Sequence, residues 1–188
     1  MNVENAILQR RSIRRFLPKA VPDEMLLKLC DLGRLYASGG NLQKIRYAIV
    51  SKEPTKSRIY RALRWAAYLP GFPIAENQHP AAYLILVGKE GEKTDFDAGA
   101  AATTVMLAAE EMGLSSCCLG AIDREAIASV LSLPETERVL YVLALGYADE
   151  KSVAEPYTDT VRYSEDGEGV LHVPKYSLRE VLISTDTE

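Results

Sequence analysis

The sequence has little of what marks a metal site, a disulfide framework, a membrane span or a nucleic-acid coat. It has two histidines, His79 and His172, far apart and without flanking ligand sets, which argues against zinc. Its three cysteines, Cys30, Cys117 and Cys118, are an odd number, and the adjacent pair cannot form a relaxed disulfide, so a reducing, cytoplasmic setting is expected. The most apolar stretches, 81–87 and 139–145, fall far short of the roughly 20 residues a membrane helix needs. The N-terminus turns basic without an apolar run, so it does not read as a signal peptide. A soluble protein without a membrane partner is expected. A net charge of -4 argues against a nucleic-acid partner, which would call for a basic surface. There is no internal repeat, no low-complexity block and no G-x-G-x-x-G fingerprint. Residues 88–94 resemble a phosphate loop only superficially, since Glu92 precedes Lys93 where a glycine is needed. At 188 residues, one domain over 1–188 is expected.

What is present alternates between two periodicities. Asn2 is placed to cap a helix over 3–9 with Ile7 and Leu8 inward. Pro22, followed by Asp23 and Glu24, opens a second helix with a buried stripe of Met25, Leu26, Leu29, Leu32 and Tyr36. It runs out in Ser38-Gly39-Gly40. A strand at 47–50, a helix over 54–69 and a doubly buried strand at 81–87 follow. The clearest helix carries Ala98, Ala101, Ala102, Val105, Met106 and Ala109 on one side and stops at Gly113. Then come a strand at 115–119, a helix from Arg124 broken at Leu133-Pro134, and a strand at 139–145. From 149 to 176 the chain is polar and is expected as an extended arm. Ser177 and Glu180 form a capping box that heads a short helix over 177–183. This order gives an α/β or α+β domain.

Three segments carry candidate chemistry. Residues 10–16 hold Arg10, Arg11, Arg14 and Arg15 around Ser12. Such a run is often a solvated basic turn, but arginines grouped after a short helix, with a hydroxyl among them, also suit a phosphate. Ser38-Gly39-Gly40-Asn41-Leu42-Gln43 is an ordinary helix-terminating loop on one reading. On the other, Asn41 and Gln43 present amides to a polar ligand where glycine lets the backbone approach. In 115–123, Cys117 and Cys118 read as small apolar strand residues, while backbone amides near Gly120 can donate to a ligand at the sheet edge.

Taken in order, these segments resemble the nitroreductase family. Arg10, Ser12 and Arg14 match its R-x-S-x-R/K opening, and Ser38, Asn41 and Gln43 match P-S-x-x-N-x-Q. Asp97, Gly99, Ala100, Ala101, Leu107, Ala108, Ala109, Gly113 and Leu114 match its D-x-G-A-A run. Leu119-Gly120, Leu133-Pro134 and Leu145-Gly146-Tyr147 follow in family order, and Lys175, Leu178 and Glu180 echo the C-terminal R/K-x-P-L-x-E. The resemblance implies an α+β fold, a three-layer α/β/α sandwich with a central, mostly antiparallel sheet and a long central helix. It implies bound FMN, NADH or NADPH as co-substrate, and a homodimer with two flavins at the interface.

Carried over by position, the resemblance puts Arg10, Ser12, Arg14 and Lys175 around the phosphate and ribityl chain, with Arg11 acting through its backbone. Ser38, Asn41 and Gln43 would meet the ribityl or ring edge. The amides of Cys118, Leu119 and Gly120 would face the reactive edge of the isoalloxazine, with no side-chain acid or base required. The implied reaction is ping-pong transfer from NAD(P)H to a small organic acceptor such as a nitroaromatic or quinone. Reductive dehalogenation, oxidation and a non-catalytic FMN-binding or redox-sensing role remain alternatives. Lys44-Ile45 stands where many relatives have Pro-Trp, and Ala37 where they have proline, so the substrate does not transfer by analogy.

Overall fold

Seven consecutive buried residues make strand β2 (Ala82–Lys89) the centre of the molecule, and the other elements are arranged to cover its two faces. The computed structural model describes residues 2–186. Beside β2 lie β1 (Arg46–Val50), β3 (Ser115–Leu119) and β4 (Glu137–Gly146), in the order β1-β2-β4-β3 and antiparallel throughout. Ala82, Leu84 and Leu86 face one side with Leu143 and Leu145 and pack against α2 (Asp23–Gly33) and α4 (Asp95–Glu111). Tyr83, Ile85 and Val87 face the other with Val142 and Ala144, against Phe16, Ile59 of α3 (Thr55–Arg61) and Ile127 of α5 (Arg124–Leu131). Helices on both faces of one sheet give the α/β/α sandwich that the resemblance implies. The buried alternation on both faces of β2 enforces it, because each face must be covered.

Small residues set the closest approach in the helical layer. A Cβ on Gly33 of α2 would lie 2.6 Å from Val105 Cγ2 of α4, so only glycine lets the two helices meet there. Helix α4 is buried along Ala98, Ala101, Ala102, Val105 and Ala109, the stripe expected from its spacing.

Three elements differ from expectation. In α1 (Val3–Gln9), capped by Asn2 Oδ1 accepting from the Asn5 N–H at 2.8 Å, Ala6 is the buried residue, whereas Ile7 and Leu8 are 57% and 61% exposed. The cap fixes the phase of so short a helix, and that phase turns its large apolar side chains outward. Helix α3 stops at Arg61, not near 69, because the chain gives up helical bonds to pair with the segment before α5. Leu63 bridges Ile122, and the Arg64 N–H donates to Ala121 O at 3.1 Å. Residues 149–176 carry a second, three-stranded sheet of order β5-β7-β6, from β5 (Lys151–Pro156), β6 (Ser164–Glu165) and β7 (Val170–Lys175). Beyond it, Ser177 donates to the Glu180 carboxylate from its amide at 2.7 Å and its hydroxyl at 2.8 Å, heading α6 (Leu178–Val181). Among the described residues, no helix is long and apolar enough to cross a membrane.

Candidate functional site

The sheet order leaves β3 at an edge, and the arginine segment is tied onto that edge. The Ile13 N–H donates to Ser116 O at 3.0 Å, and Ser12 forms a parallel bridge with Ser116. Hydrogen-bonding direction alternates along a strand, so with Ser116 turned outward, Ser115, Cys117 and Leu119 turn toward β4, where they pair with Gly146, Ala144 and Val142. Cys118 then directs its N–H to the open edge beyond Ser12, while Gly120 lies past the end of β3, its carbonyl accepting from Arg124, which also reaches Leu140 O of β4. The Leu119 amide points into the sheet. Gly120 has a packing reason of its own, since a Cβ there would lie 3.2 Å from the Tyr141 ring.

The four arginines of the strap divide into two that the protein uses and two that it leaves available. Arg11 donates to Leu8 O at 2.7 Å and Arg10 O at 2.5 Å, satisfying carbonyls that the end of α1 leaves open. Arg15 donates to Glu165 at 2.5 Å and to Pro73 O at 3.0 Å, and lies over the Phe72 ring. Arg10 makes no side-chain hydrogen bond among the described residues, and Arg14 makes one, to Ser12 O at 3.2 Å. Glu110 lies near Arg10 and Arg11, and burial pushes its carboxyl up more than the two guanidiniums pull it down, which weakens its competition for them. Two guanidiniums and the outward Cys118 N–H on one open edge, with the Ser12 hydroxyl beside them and in contact with the Cys117 thiol, fit an elongated ligand that carries an anion at one end.

The thiols beside this edge are inert. Burial raises Cys118 to about 11 and raises Cys117 as well, with the Arg10 charge opposing in both. Neither is a thiolate at neutral pH, so they serve as strand residues.

The remaining expected residues lie elsewhere on the chain. The Ser38 hydroxyl donates to Asp97 Oδ2 at 3.1 Å, the Gly39 N–H donates to Asp97 Oδ1 at 3.1 Å, and Ser38 Oγ accepts from the Gln43 N–H at 2.8 Å. Gln43 Nε2 makes a long contact, 3.4 Å, with Asn41 O, and both residues have positive φ in an exposed loop. Asp97 is near the start of α4 and Glu110, beside Arg10, is near its end. Thirteen residues of helix separate the two segments by about 20 Å. Lys175 ends β7, its carbonyl accepting from the Tyr157 N–H at 2.8 Å. It lies four residues, about 13 Å of strand, past Leu171, which pairs with the Glu165 that holds Arg15. Within one chain the structure thus brings together the strap and β3, but not the 38–43 loop or Lys175. A cavity of about 540 Å³ lies beside the opposite edge strand, lined by Asp23, Leu26, Ile49, Thr55, Val130 and Leu131 among others, and none of the expected site residues lines it.

One residue at the strap escapes a reading of the sequence. Glu150, its side chain 1% exposed, accepts from the Arg14 N–H at 2.5 Å across 136 positions of chain. Only its place after Leu145-Gly146-Tyr147, at the strand end, hinted at it.

The chain matches the model described as the Nitroreductase family over residues 7–147. A provisionally named NADH dehydrogenase/NAD(P)H nitroreductase of Archaeoglobus fulgidus is 29% identical over 159 residues, covering 79% of this chain and 87% of that protein. The NADPH-flavin oxidoreductase of Vibrio harveyi is 26% identical over 172 residues, 82% of this chain and 69% of its own length. A crystal structure of a variant of the FMN and NADPH-dependent nitroreductase NfnB from Sphigopyxis sp. strain HMH is similar over 100% of both chains, with a TM-score of 0.73 at 22% identity, and so shares the fold. Fold, strap and edge strand agree with a match over well more than half of the sequence: the chain belongs to the nitroreductase family.

Proposed function

We propose that the protein is an FMN-dependent oxidoreductase that takes reducing equivalents from NADH or NADPH and passes them to a small organic acceptor of the nitroaromatic or quinone kind. The observation that carries this reading is the strap on the β3 edge, where Arg10, Ser12 and Arg14 stand beside the outward Cys118 N–H and the strand end at Gly120. Bound FMN supplies the two-electron carrier between nicotinamide and acceptor. Arg10, Arg14 and Ser12 hold its phosphate and ribityl end. The Cys118 and Gly120 N–H groups donate toward negative charge that grows during reduction, and Leu119 anchors that strand end in the sheet. No side-chain acid or base is needed among them.

The working unit in this proposal is a homodimer. One chain keeps Ser38, Asn41 and Gln43 about 20 Å of helix away from its own strap. A second copy brings those residues, and Lys175, to the assembled site. Apolar side chains left outside one chain, Val3 and Ile7 on α1, Phe96 on α4 and Leu178 and Val181 on α6, supply surface for that contact. Because the sequence offers one ligand site and no dinucleotide fingerprint, NAD(P)H and acceptor occupy it in turn, giving ping-pong kinetics with parallel double-reciprocal lines.

Titration of FMN against purified protein, read by flavin fluorescence quenching, tests the reading. Tight quenching in the wild type is expected, with Arg10→Ala weakening it at least tenfold, since a charged hydrogen bond is worth about 1.5 to 3 kcal/mol. No quenching at any ratio sinks the proposal. Quenching without NAD(P)H oxidation would leave an FMN-binding or redox-sensing protein in place of an enzyme.

A further inference from the structure

The family match ends at Tyr147, and three groups that grip the arginine strap follow it in sequence, in addition to Phe72 and Pro73, which hold Arg15 from within the matched region. Glu150 accepts the Arg14 N–H and places its other oxygen 3.8 Å from the Arg15 guanidinium. Glu165 of β6 accepts from Arg15 at 2.5 Å. Tyr163, just before β6, lies under Arg14 with its ring centroid 4.6 Å from the guanidinium carbon, and is itself held against Tyr68 with centroids 5.1 Å apart. The segment that carries the second sheet therefore touches the strap at three points, Glu150 just before β5, Tyr163 just before β6 and Glu165 within β6, and two of them converge on Arg14.

The Arg14 guanidinium carbon stands over the Tyr163 ring, a cation–π contact that leaves N–H donors for carboxylates and phosphates. In Arg14 one of those donors is turned back to Ser12 O, and the rest stay available. The contact restricts a long side chain whose rotamer entropy a ligand would otherwise have to remove. We infer that the second sheet is a clamp on the cofactor strap, with Tyr163 as a positioning residue that pre-sets the Arg14 guanidinium for the FMN phosphate or ribityl end. This inference rests on the FMN reading above.

The test is the FMN dissociation constant of the full chain by fluorescence quenching. Tyr163→Leu should raise it about tenfold, the size of a partly desolvated cation–π contact. Tyr163→Phe, which keeps the ring, should stay within about twofold of wild type, because the face of the ring makes the contact. In an Arg14→Gln background, Tyr163→Leu should add nothing further. Equal affinity for the Leu and Phe variants, or a full additional loss in the Arg14→Gln background, overturns the inference. Should Tyr163→Leu fail to fold, the wild type and Tyr163→Phe decide: the Arg14 Nε–H proton of the FMN-free protein should show an upfield ring-current shift in both, and its absence overturns the clamp. Wild type that binds no FMN removes the site reading and the clamp together. Wild type that binds FMN with an affinity unmoved by Tyr163→Leu removes the clamp alone.

Discussion

Replacing Asp97 with alanine should loosen the 38–43 loop at a calculable cost. Asp97 is 6% exposed at the third position of α4, where the positive end of the helix favours a carboxylate. Its two oxygens accept from the Ser38 hydroxyl and the Gly39 N–H, and the same Ser38 oxygen accepts from the Gln43 N–H. Alanine deletes both acceptors. Hydrogen bonds to a charged group are worth about 1.5 to 3 kcal/mol each, but Gly39 is exposed, so water replaces part of the loss and a net cost of about 2 to 3 kcal/mol is expected. Asparagine keeps one acceptor without the charge and should cost about 1 kcal/mol. Urea unfolding at fixed protein concentration measures this as a lower midpoint at unchanged slope. If the loop serves the FMN site, affinity should fall in the same order, alanine more than asparagine. An alanine variant within about 0.5 kcal/mol of wild type, the usual scatter of surface substitutions, would show that Asp97 does not pin the loop.

Gly33→Ala should lower the melting temperature by overpacking α2 against α4, at a cost of about 1 to 3 kcal/mol, and an unchanged melt would mean that the helices separate freely there. His172 bonds Asp166 and Glu155 with its two ring nitrogens, and those bonds, Asp166 first, raise it above its ordinary 6.5. A raised folded value means that the stabilisation is complete below pH 6.5 and is lost as pH climbs through the folded value. Stability curves of wild type and His172→Gln should therefore differ below pH 6.5 and converge above the folded value, and a gap constant with pH would refute the assignment.

Much of the fold was legible because burial was strong enough to leave a single reading. Strand β3 runs from Ser115 to Leu119 as expected, bounded by Gly113-Leu114 and Gly120. Helix α4 could be read from its alanine stripe. Helix α1 shows the limit: periodicity identifies an apolar face but not what covers it, and Ile7 and Leu8 lie outside the core of their own chain. The second sheet escaped notice because β5 pairs with β7 across about nineteen residues, and the polar segment between them carries no strong alternation. At the site, charge density marked the strap, and position along the chain marked the β3 edge. Tyr163 carries no signal in the sequence and Glu150 only its place at a strand end, since each meets Arg14 through tertiary folding, Glu150 from 136 residues away. The division of the arginines into two engaged and two available is set by tertiary and local contacts that the sequence does not display. Four guanidiniums in seven residues look alike in a sequence.

The central claim is that two chains together hold FMN. Native mass spectrometry of protein reconstituted with FMN, and of Arg10→Ala treated identically, tests it most directly. The account calls for the mass of two chains plus two FMN in the wild type, and two chains with little or no FMN in the variant. A single chain that carries one FMN, or a wild-type dimer that carries none, would contradict it.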